Sequence, residues 1–240
     1  MQLCIDQGNS STKIGIFKNE ELAVSKVYKS FEIVDINSLF EEYPIESCIY
    51  STVSVCNKQL IQKLKGRVTC FIDLNHETPI PIINAYGTPQ TLGNDRLAAV
   101  TGASFLKPDT DILVVDAGSA ITFDFIDRNK KYHGGNISPG VDLRFRALHE
   151  FTERLPLVEL QNDILFLGND TNSAIHSGVV NGICFEIDGY IERLRSEYHE
   201  LSTFLTGGNT FYFANKLKNA IFADTNLVLI GLNCILQYNV

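Results

Sequence analysis

Two rhythms of apolar positions run along the chain, a period of two and a period near four, and the switches between them mark its elements. In Ile112-Leu-Val-Val-Asp-Ala-Gly-Ser-Ala-Ile-Thr-Phe-Asp-Phe-Ile126, apolar residues run into Asp116, a Gly-Ser pair turns the chain, and apolar residues then recur at alternate positions. A buried strand followed by a half-buried one predicts a β-hairpin. The N-terminus repeats the pattern. Leu3-Cys-Ile leads into Asp6-Gln7-Gly8, Asn9 and the hydroxyl residues Ser10, Ser11 and Thr12 follow, and Ile14 and Ile16 leave as a second alternating strand.

Glu46 to Val53 and Val68 to Asp73 also have strand character, and Asn57 to Gly66 reads as a short helix with an Asn N-cap, late lysines and a terminal Gly. Strand, helix, strand suggests a parallel crossover. Ser51, Thr52, Val53 and Ser54 close its first strand, where ligands gather in such folds; the rest of 20–75 reads as scaffold. His76 and Glu77, before Pro79 and Pro81, read as loop. Leu97, Val100, Ala103 and Phe105 follow Gly93-Asn94 at roughly helical spacing, which puts Asp95 and Arg96 in a first helical turn. His133-Gly-Gly-Asn-Ile-Ser-Pro-Gly140 reads as a shaped loop delivering the chain to a helix over Val141 to His149, ended by Glu153-Arg-Leu-Pro156. Ile175, Val179, Ile183, Ile187 and Ile191 predict a long helix from Thr171 to Tyr198, with Gly178 and Gly182 allowing close packing within the protein or against a second copy. Ser202 to Thr206 is a strand ending in Gly207-Gly208, and Leu227, Ile230, Gly231, Cys234 and Ile235 form a closing apolar helical face.

The hairpin turns carry the candidate chemistry. Hairpin tips usually hold Asn-Gly or Asp-Gly; here both hold Asp-x-Gly and small hydroxyl residues. The Gly lets backbone approach a ligand, and Ser119 and Thr122 can present hydroxyls and N–H groups to one point. An oxyanion with a bound cation fits, and so does an ordinary polar turn. Recurrence at Asp6/Gly8 and Asp116/Gly118 weighs against coincidence. Each copy opens about half of the 240 residues, which suggests two domains, 1–107 and 108–240, divided at Lys107-Pro-Asp-Thr110. Lys13 is either a solvated strand lysine or a point charge on a β- or γ-phosphate, and the repeat favours phosphate. Asp95 suits helix N-terminal capping. Arg96 opposes the helix dipole there, and holding a carboxylate ligand in a bidentate pair would account for it. An Asp beside an Arg also suits a general base facing a small hydroxy acid. Thr206-Gly207-Gly208 is a second, weaker nucleotide-loop candidate, and His176 reads as a satisfied core or surface histidine.

Composition narrows the field. Hydrophobic residues make up 45% and charged residues 20%, enough for a real core. No apolar run reaches the ~18–20 residues of a membrane span, and Met1-Gln-Leu-Cys-Ile enters a strand without a basic leader. A net charge of −8 lacks a nucleic-acid footprint. ATP remains compatible with it when backbone amides, lysines and Mg²⁺ supply the positive field. Six cysteines without Cys-x-x-Cys or neighbouring His point to buried reduced thiols in a cytoplasm.

Asp-x-Gly-Asn-Ser-x-x-Lys, Gly-x-Asp-Arg, Asp-x-Gly-Ser-Ala-x-Thr-x-Asp, Gly-Gly-x-Ile-x-Pro-Gly, Leu-Pro and Thr-Gly-Gly occur in that order. Over essentially the whole chain this resembles type III pantothenate kinases. The resemblance implies an α/β fold of two tandem ribonuclease-H-like domains of the actin/hexokinase/Hsp70 ATPase superfamily with a nucleotide cleft between them. It implies ATP-dependent phosphorylation of the primary hydroxyl of pantothenate to 4'-phosphopantothenate, the first step of coenzyme A biosynthesis. ATP with Mg²⁺, a monovalent cation (K⁺ or NH₄⁺), a homodimer and a cytoplasmic setting come with it, without nucleic acid or membrane. By matching motif, Asp6, Gln7, Gly8, Asn9, Ser10, Ser11, Thr12 and Lys13 would hold ATP phosphates and Ser119 the ATP. Asp95 would be the proton acceptor. Tyr86, Gly93, Asn94, Asp95, Arg96 and Thr171 would hold pantothenate, and Asp116 the monovalent cation. Three residues depart from the family pattern: Ser10 and Ser119 stand where Thr is usual, and Gln7 where a small apolar residue is usual. Another superfamily kinase or polyphosphate hydrolase would share both Asp-x-Gly loops without needing Gly-Asn-Asp-Arg. A binding protein without turnover would be expected to lose Asp95 or Lys13.

Overall fold

The structure, a computed structural model, describes residues 1–53 and 58–240. Ser54, Cys56 and the expected N-cap Asn57 lie outside the described residues.

The first hairpin forms as the alternation predicts. β1 (Gln2–Gln7) and β2 (Thr12–Lys18) pair antiparallel from Gln2↔Phe17 to Gln7↔Thr12, and β3 (Glu21–Tyr28) adds to β2. α1 (Ile33–Glu42) leads to β4 (Ser47–Thr52), which lies parallel to β1; α2 (Lys58–Lys65) then crosses to β5 (Cys70–Asp73), parallel to β4. The expected crossover is therefore present, and the sheet runs β3-β2-β1-β4-β5. Leu3, Ile5, Ile14, Ile16 and Tyr50 cover one sheet face and pack with Ile36 and Leu39 of α1 and Leu60 and Leu64 of α2. Each such side chain contributes about 1.5–3 kcal/mol on burial. A one-residue slip of any strand would turn its apolar set to water, so packing fixes where the strand ends stand. After β6 (Ile83–Asn84) and a 3-10 turn over Pro89–Thr91 comes α3 (Asn94–Leu106).

The second half repeats the plan. β7 (Ile112–Ala117), β8 (Ala120–Ile126) and β9 (Lys131–Pro139) are neighbours in the sheet, α4 (Val141–Glu150) and α5 (Thr171–Arg195) follow, and β10 (Ser202–Thr206), α6 (Thr210–Ala214) and β11 (Phe222–Ala223) close it. The order β9-β8-β7-β10-β11, with β7, β10 and β11 parallel, repeats that of the first sheet, and β6 adds a sixth strand at the β9 edge. Residues 133–139 are strand β9, not the loop their glycines suggested. A Cβ on Gly135 would lie 1.7 Å from the Phe123 carbonyl oxygen, so glycine here admits the neighbouring backbone and does not break the strand. α4 ends at Glu150, before the Glu153-to-Pro156 stop, and α5 ends at Arg195. Its isoleucine row is buried among Leu113, Val115, Phe123 and Phe145.

α7 (Leu227–Tyr238) ends the chain. Its fit with α3 is backbone to backbone: a Cβ on Gly231 would stand 1.8 Å from the Ala98 carbonyl oxygen, and one on Gly102 2.5 Å from that of Leu227. With Leu227, Val228, Leu229, Leu232, Ile235 and Leu236 all buried, α7 is covered nearly all round and not on a single face. The compact units are consequently discontinuous in sequence. One comprises Met1–Asp109, Ile126–Gly134 and Asn226–Val240, the other Thr110–Phe125 and Gly135–Thr225. Within the first, β6 pairs with the start of β9, Ile83 with Lys131 and Asn84 with Tyr132. Among the described residues no helix is long and apolar enough to cross a membrane.

Candidate active site

In the first unit the β1–β2 turn stands at the ends of β1 and β4. The Gly8 N–H donates to the Ser11 carbonyl at 3.0 Å, closing the tip, while Asn9 and Ser10 are exposed. Asp6, next to last in β1, is half-buried and in register with Lys13 on β2 and Ser51 on β4. Gln7 to Thr12 line a cavity of about 640 Å³ whose opposite wall is Lys29 to Val34. That second wall carries no motif, and nothing in its local pattern announced it. Lys13 is not on the cavity wall; it shares the face of its register partner Asp6. Gln7 has a structural reason: Tyr50, fully buried under α2, donates its hydroxyl to Gln7 Oε1. A buried phenol keeps a partner, which a small apolar residue at position 7 could not supply. Ser10, exposed at the tip, loses no packing for want of a methyl group.

Gly93 to Arg96 form the start of α3. The Asp95 carboxylate accepts the Arg96 backbone N–H at 2.8 Å and turns back over Gly93, where a Cβ would stand 2.4 Å from Oδ1. Gly93 therefore leaves room for that carboxylate. Arg96 is buried, 6% exposed, and its guanidinium lies 5.6 Å from the centre of the Tyr86 ring, which stacks in turn on buried Tyr132 at 6.1 Å. Two residues far apart in the resemblance, Tyr86 and Arg96, are thus brought together. Gly134, with φ +109°, lets β9 pass the Tyr86 ring; a Cβ there would lie 3.1 Å from Cδ2. Asn94 works on the scaffold, donating its side-chain amide to the Leu74 carbonyl at 2.8 Å.

The second unit holds the second turn. Asp116, half-buried at the end of β7, is in register with Thr206 of β10. Gly207 has φ +96°, and a Cβ there would sit 2.3 Å from Asp116 Oδ1 and 2.7 Å from the Ala117 carbonyl carbon. The Thr-Gly-Gly run is thus a glycine cradle against Asp116, held by the Asn209 N–H on the Ala117 carbonyl at 3.0 Å. Gly140 closes the other side: its N–H donates to the Ser119 carbonyl at 3.2 Å, and a Cβ would meet the Gly118 and Ser119 oxygens at 2.4 Å. A carboxylate beside this glycine-lined turn offers hard oxygen to a cation. Ser119 is exposed, so its missing methyl group also costs no packing.

Thr171 opens α5 exposed to solvent, and the N-cap Asp170 accepts the Ser173 N–H at 3.0 Å. That bond holds the Asp170 carboxyl below its ordinary range. Thr171 borders an apolar groove of about 910 Å³ with Leu143, Leu148 and Phe151 of the α4 side. His176 is a satisfied core residue, 4% exposed, stacked on Phe145 with centroids 5.8 Å apart and accepting the Gln161 N–H on Nε2 at 2.9 Å. Burial lowers its pKa.

A profile of the family described as type III pantothenate kinase matches residues 2–193. The type III pantothenate kinase of Phocaeicola vulgatus is 47% identical over 239 residues, covering 100% of this chain and 99% of that protein. That of Bacteroides fragilis (strain ATCC 25285) is 46% identical over 240 residues, covering 100% and 98%. Among solved structures, a ROK hexokinase from Thermus thermophilus superposes with a TM-score of 0.52 at 11% identity over 99% of this chain and 98% of its own. That likeness, with the doubled sheet order, gives the fold: two α/β halves built on one strand plan.

Proposed function

The chain belongs to the type III pantothenate kinase family, and from that premise we propose how its residues serve the family's reaction. The enzyme transfers a phosphoryl group from ATP to the primary hydroxyl of pantothenate, giving 4'-phosphopantothenate in the first step of coenzyme A biosynthesis. Asp95 is the proton acceptor. Phosphoryl transfer is mostly positioning and charge stabilisation, and the attacking hydroxyl must still lose its proton. The observation that carries this assignment is the Asp95 carboxylate itself, oriented at the start of α3 by the Arg96 N–H at 2.8 Å and given space by Gly93. Gly93, Asn94, Arg96, Tyr86 and Thr171 hold pantothenate; Arg96 and Tyr86 form one stacked pair for that purpose.

The turn from Asp6 to Lys13 (Gln7, Gly8, Asn9, Ser10, Ser11 and Thr12 between them) holds ATP phosphates through backbone N–H groups and hydroxyls, and Ser119 contacts ATP from the second turn. Asp116 binds K⁺ or NH₄⁺, supported by its glycine cradle and the neighbouring carbonyls; the cation offsets negative charge beside the phosphates. Mg²⁺ accompanies the nucleotide, as is usual for this hard ion. The repeat boundary at 107/108 divides the two domains, 1–107 and 108–240. A homodimer forms on α5, supported by open space where Cβ atoms on Gly178, Gly182 and Gly189 would project and by Phe185 at 61% exposure. The enzyme works in the cytoplasm, where thiols such as Cys4 and Cys48 stay reduced. ADP release measured with ATP, Mg²⁺ and K⁺ tests the assignment: dependence on pantothenate is expected, and release that ignores pantothenate would refute it.

A further inference from the structure

One arginine holds the corner between β9 and α4 in the second unit. Arg144 stands near the start of α4 with its side chain 22% exposed, and its guanidinium forks across three acceptors. Nε donates to the Pro139 carbonyl at 2.8 Å, and Nη2 donates to Ser138 Oγ at 2.9 Å and to the Glu186 carboxylate of α5. A cation this close to a helix N-terminus opposes the dipole, and what it holds accounts for it. The N-cap Gly140 has no side chain with which to fasten the helix start, so the chain just before it is fixed by the arginine reaching back. The clamp itself is firmly based. Phe145, the next residue, is 2% exposed and stacks on His176, which lies on the same helix as Glu186.

The corner that Arg144 holds is pressed against the second turn. Gly140 follows Pro139 directly; its N–H donates to the Ser119 carbonyl at 3.2 Å, and a Cβ on it would meet the Gly118 and Ser119 oxygens at 2.4 Å. Gly118 in turn borders the Asp116 carboxylate, whose Oδ1 lies 3.3 Å from where a Cβ on Gly118 would stand. A continuous path of contacts therefore runs from Arg144 through Pro139 and Gly140 to Ser119 and Asp116. Close-packed contacts transmit strain, so a shift of the corner moves the turn. The fork matters as well as the charge. A planar guanidinium serves a carbonyl, a hydroxyl and a carboxylate at once, whereas a lysine ammonium is a point charge on a flexible stem. Arg146 and Glu150 on the same helix, with side chains 64% and 51% exposed, form an ordinary surface pair and supply a control.

We propose that Arg144 is a positioning residue for the phosphoryl transfer: clamped to Glu186, it sets the β9–α4 corner against the second turn so that Ser119 meets ATP and Asp116 meets the monovalent cation. The inference rests on the reading of those two residues as ATP and cation contacts. The test measures ADP release by wild type, Arg144→Ala, Arg144→Lys, Glu186→Gln and Arg146→Ala while K⁺, ATP and pantothenate are varied in turn. For Arg144→Ala, the K⁺ concentration giving half-maximal rate and KM for ATP should each rise roughly three- to ten-fold, up to the effect of one directly lost hydrogen bond to a charged group. KM for pantothenate should stay within about two-fold. Arg144→Lys should recover part of the loss, Glu186→Gln should raise the same two constants by less, and Arg146→Ala should match wild type. If Arg144→Ala leaves the K⁺ and ATP constants unchanged, or raises KM for pantothenate equally, the assignment is overturned. Should Arg144→Ala not fold, Glu186→Gln carries the comparison, and unchanged constants there overturn it too. Wild-type release indifferent to K⁺ overturns the reading of Asp116 beneath the inference, and that failure is seen before any variant is compared.

Discussion

Replacing Gly207 by alanine should damage the second turn far more than the same change at the next residue. Gly207 sits at φ +96°, and a Cβ there would lie 2.3 Å from Asp116 Oδ1 and 2.8 Å from the Ala117 nitrogen, whereas nothing lies within 4 Å of a Cβ at Gly208. The left-handed backbone costs an L-residue about 1–2 kcal/mol, and forcing a methyl group against backbone and carboxylate adds about 1–3 kcal/mol. In a chain of this size each kcal/mol moves Tm by about 2–4 °C, so Gly207→Ala should melt roughly 5–15 °C below wild type and Gly208→Ala within a degree or two. Asp116 must also move, so the concentration of K⁺ giving half-maximal rate should rise in the first variant and hold in the second. Differential scanning fluorimetry and a K⁺ titration of ADP release read both effects. If Gly207→Ala and Gly208→Ala melt together and titrate alike, the cradle does not hold Asp116 as described.

Three further outcomes follow from the same geometry. Rates in Na⁺ or Tris should be well below those in K⁺ or NH₄⁺ at fixed ionic strength; equal rates would remove the cation from Asp116. Light scattering at micromolar concentration should give twice the 26.8 kDa chain mass, and Gly178→Glu on the open face of α5 should shift it toward the single-chain mass; a wild-type monomer refutes the dimer. His176 is held neutral in the fold, its pKa lowered by burial below the usual value near ~6.5. The unfolded chain takes up that proton first as pH falls, so stability is full above about 6.5 and is lost below it. Tm measured from pH 7.5 to 5.5 should therefore fall less in His176→Gln than in wild type, and parallel curves would clear His176 of any part.

Much of the site was legible because short-range chemistry dictates it. Asp6-x-Gly8 and Asp116-x-Gly118 had to be strand ends with open turns, and Asp95-Arg96 had to begin a helix, since capping and hairpin geometry depend on a few adjacent residues. What sequence could not convey was contact at a distance. Gly135 reads locally as a breaker and is in fact the place where a neighbouring strand's carbonyl comes close. α7 follows the second half in sequence yet packs on α3, because Gly102 and Gly231 face each other across 129 residues. Gln7 looked anomalous until Tyr50, from another strand, supplied the hydroxyl that needs it.

The central claim is that Asp95 accepts the proton of the attacking hydroxyl, and Asp95→Asn tests it most directly. Asparagine can still accept the Arg96 N–H that the carboxylate now takes at 2.8 Å in the first turn of α3, whose N-cap is Gly93. Fold and ATP binding should therefore persist, with Tm within a degree or two of wild type. The amide cannot take up a proton, so kcat with pantothenate should fall on the order of 10²–10⁴-fold. A variant that keeps kcat within a few-fold of wild type would show that Asp95 only orders the start of α3.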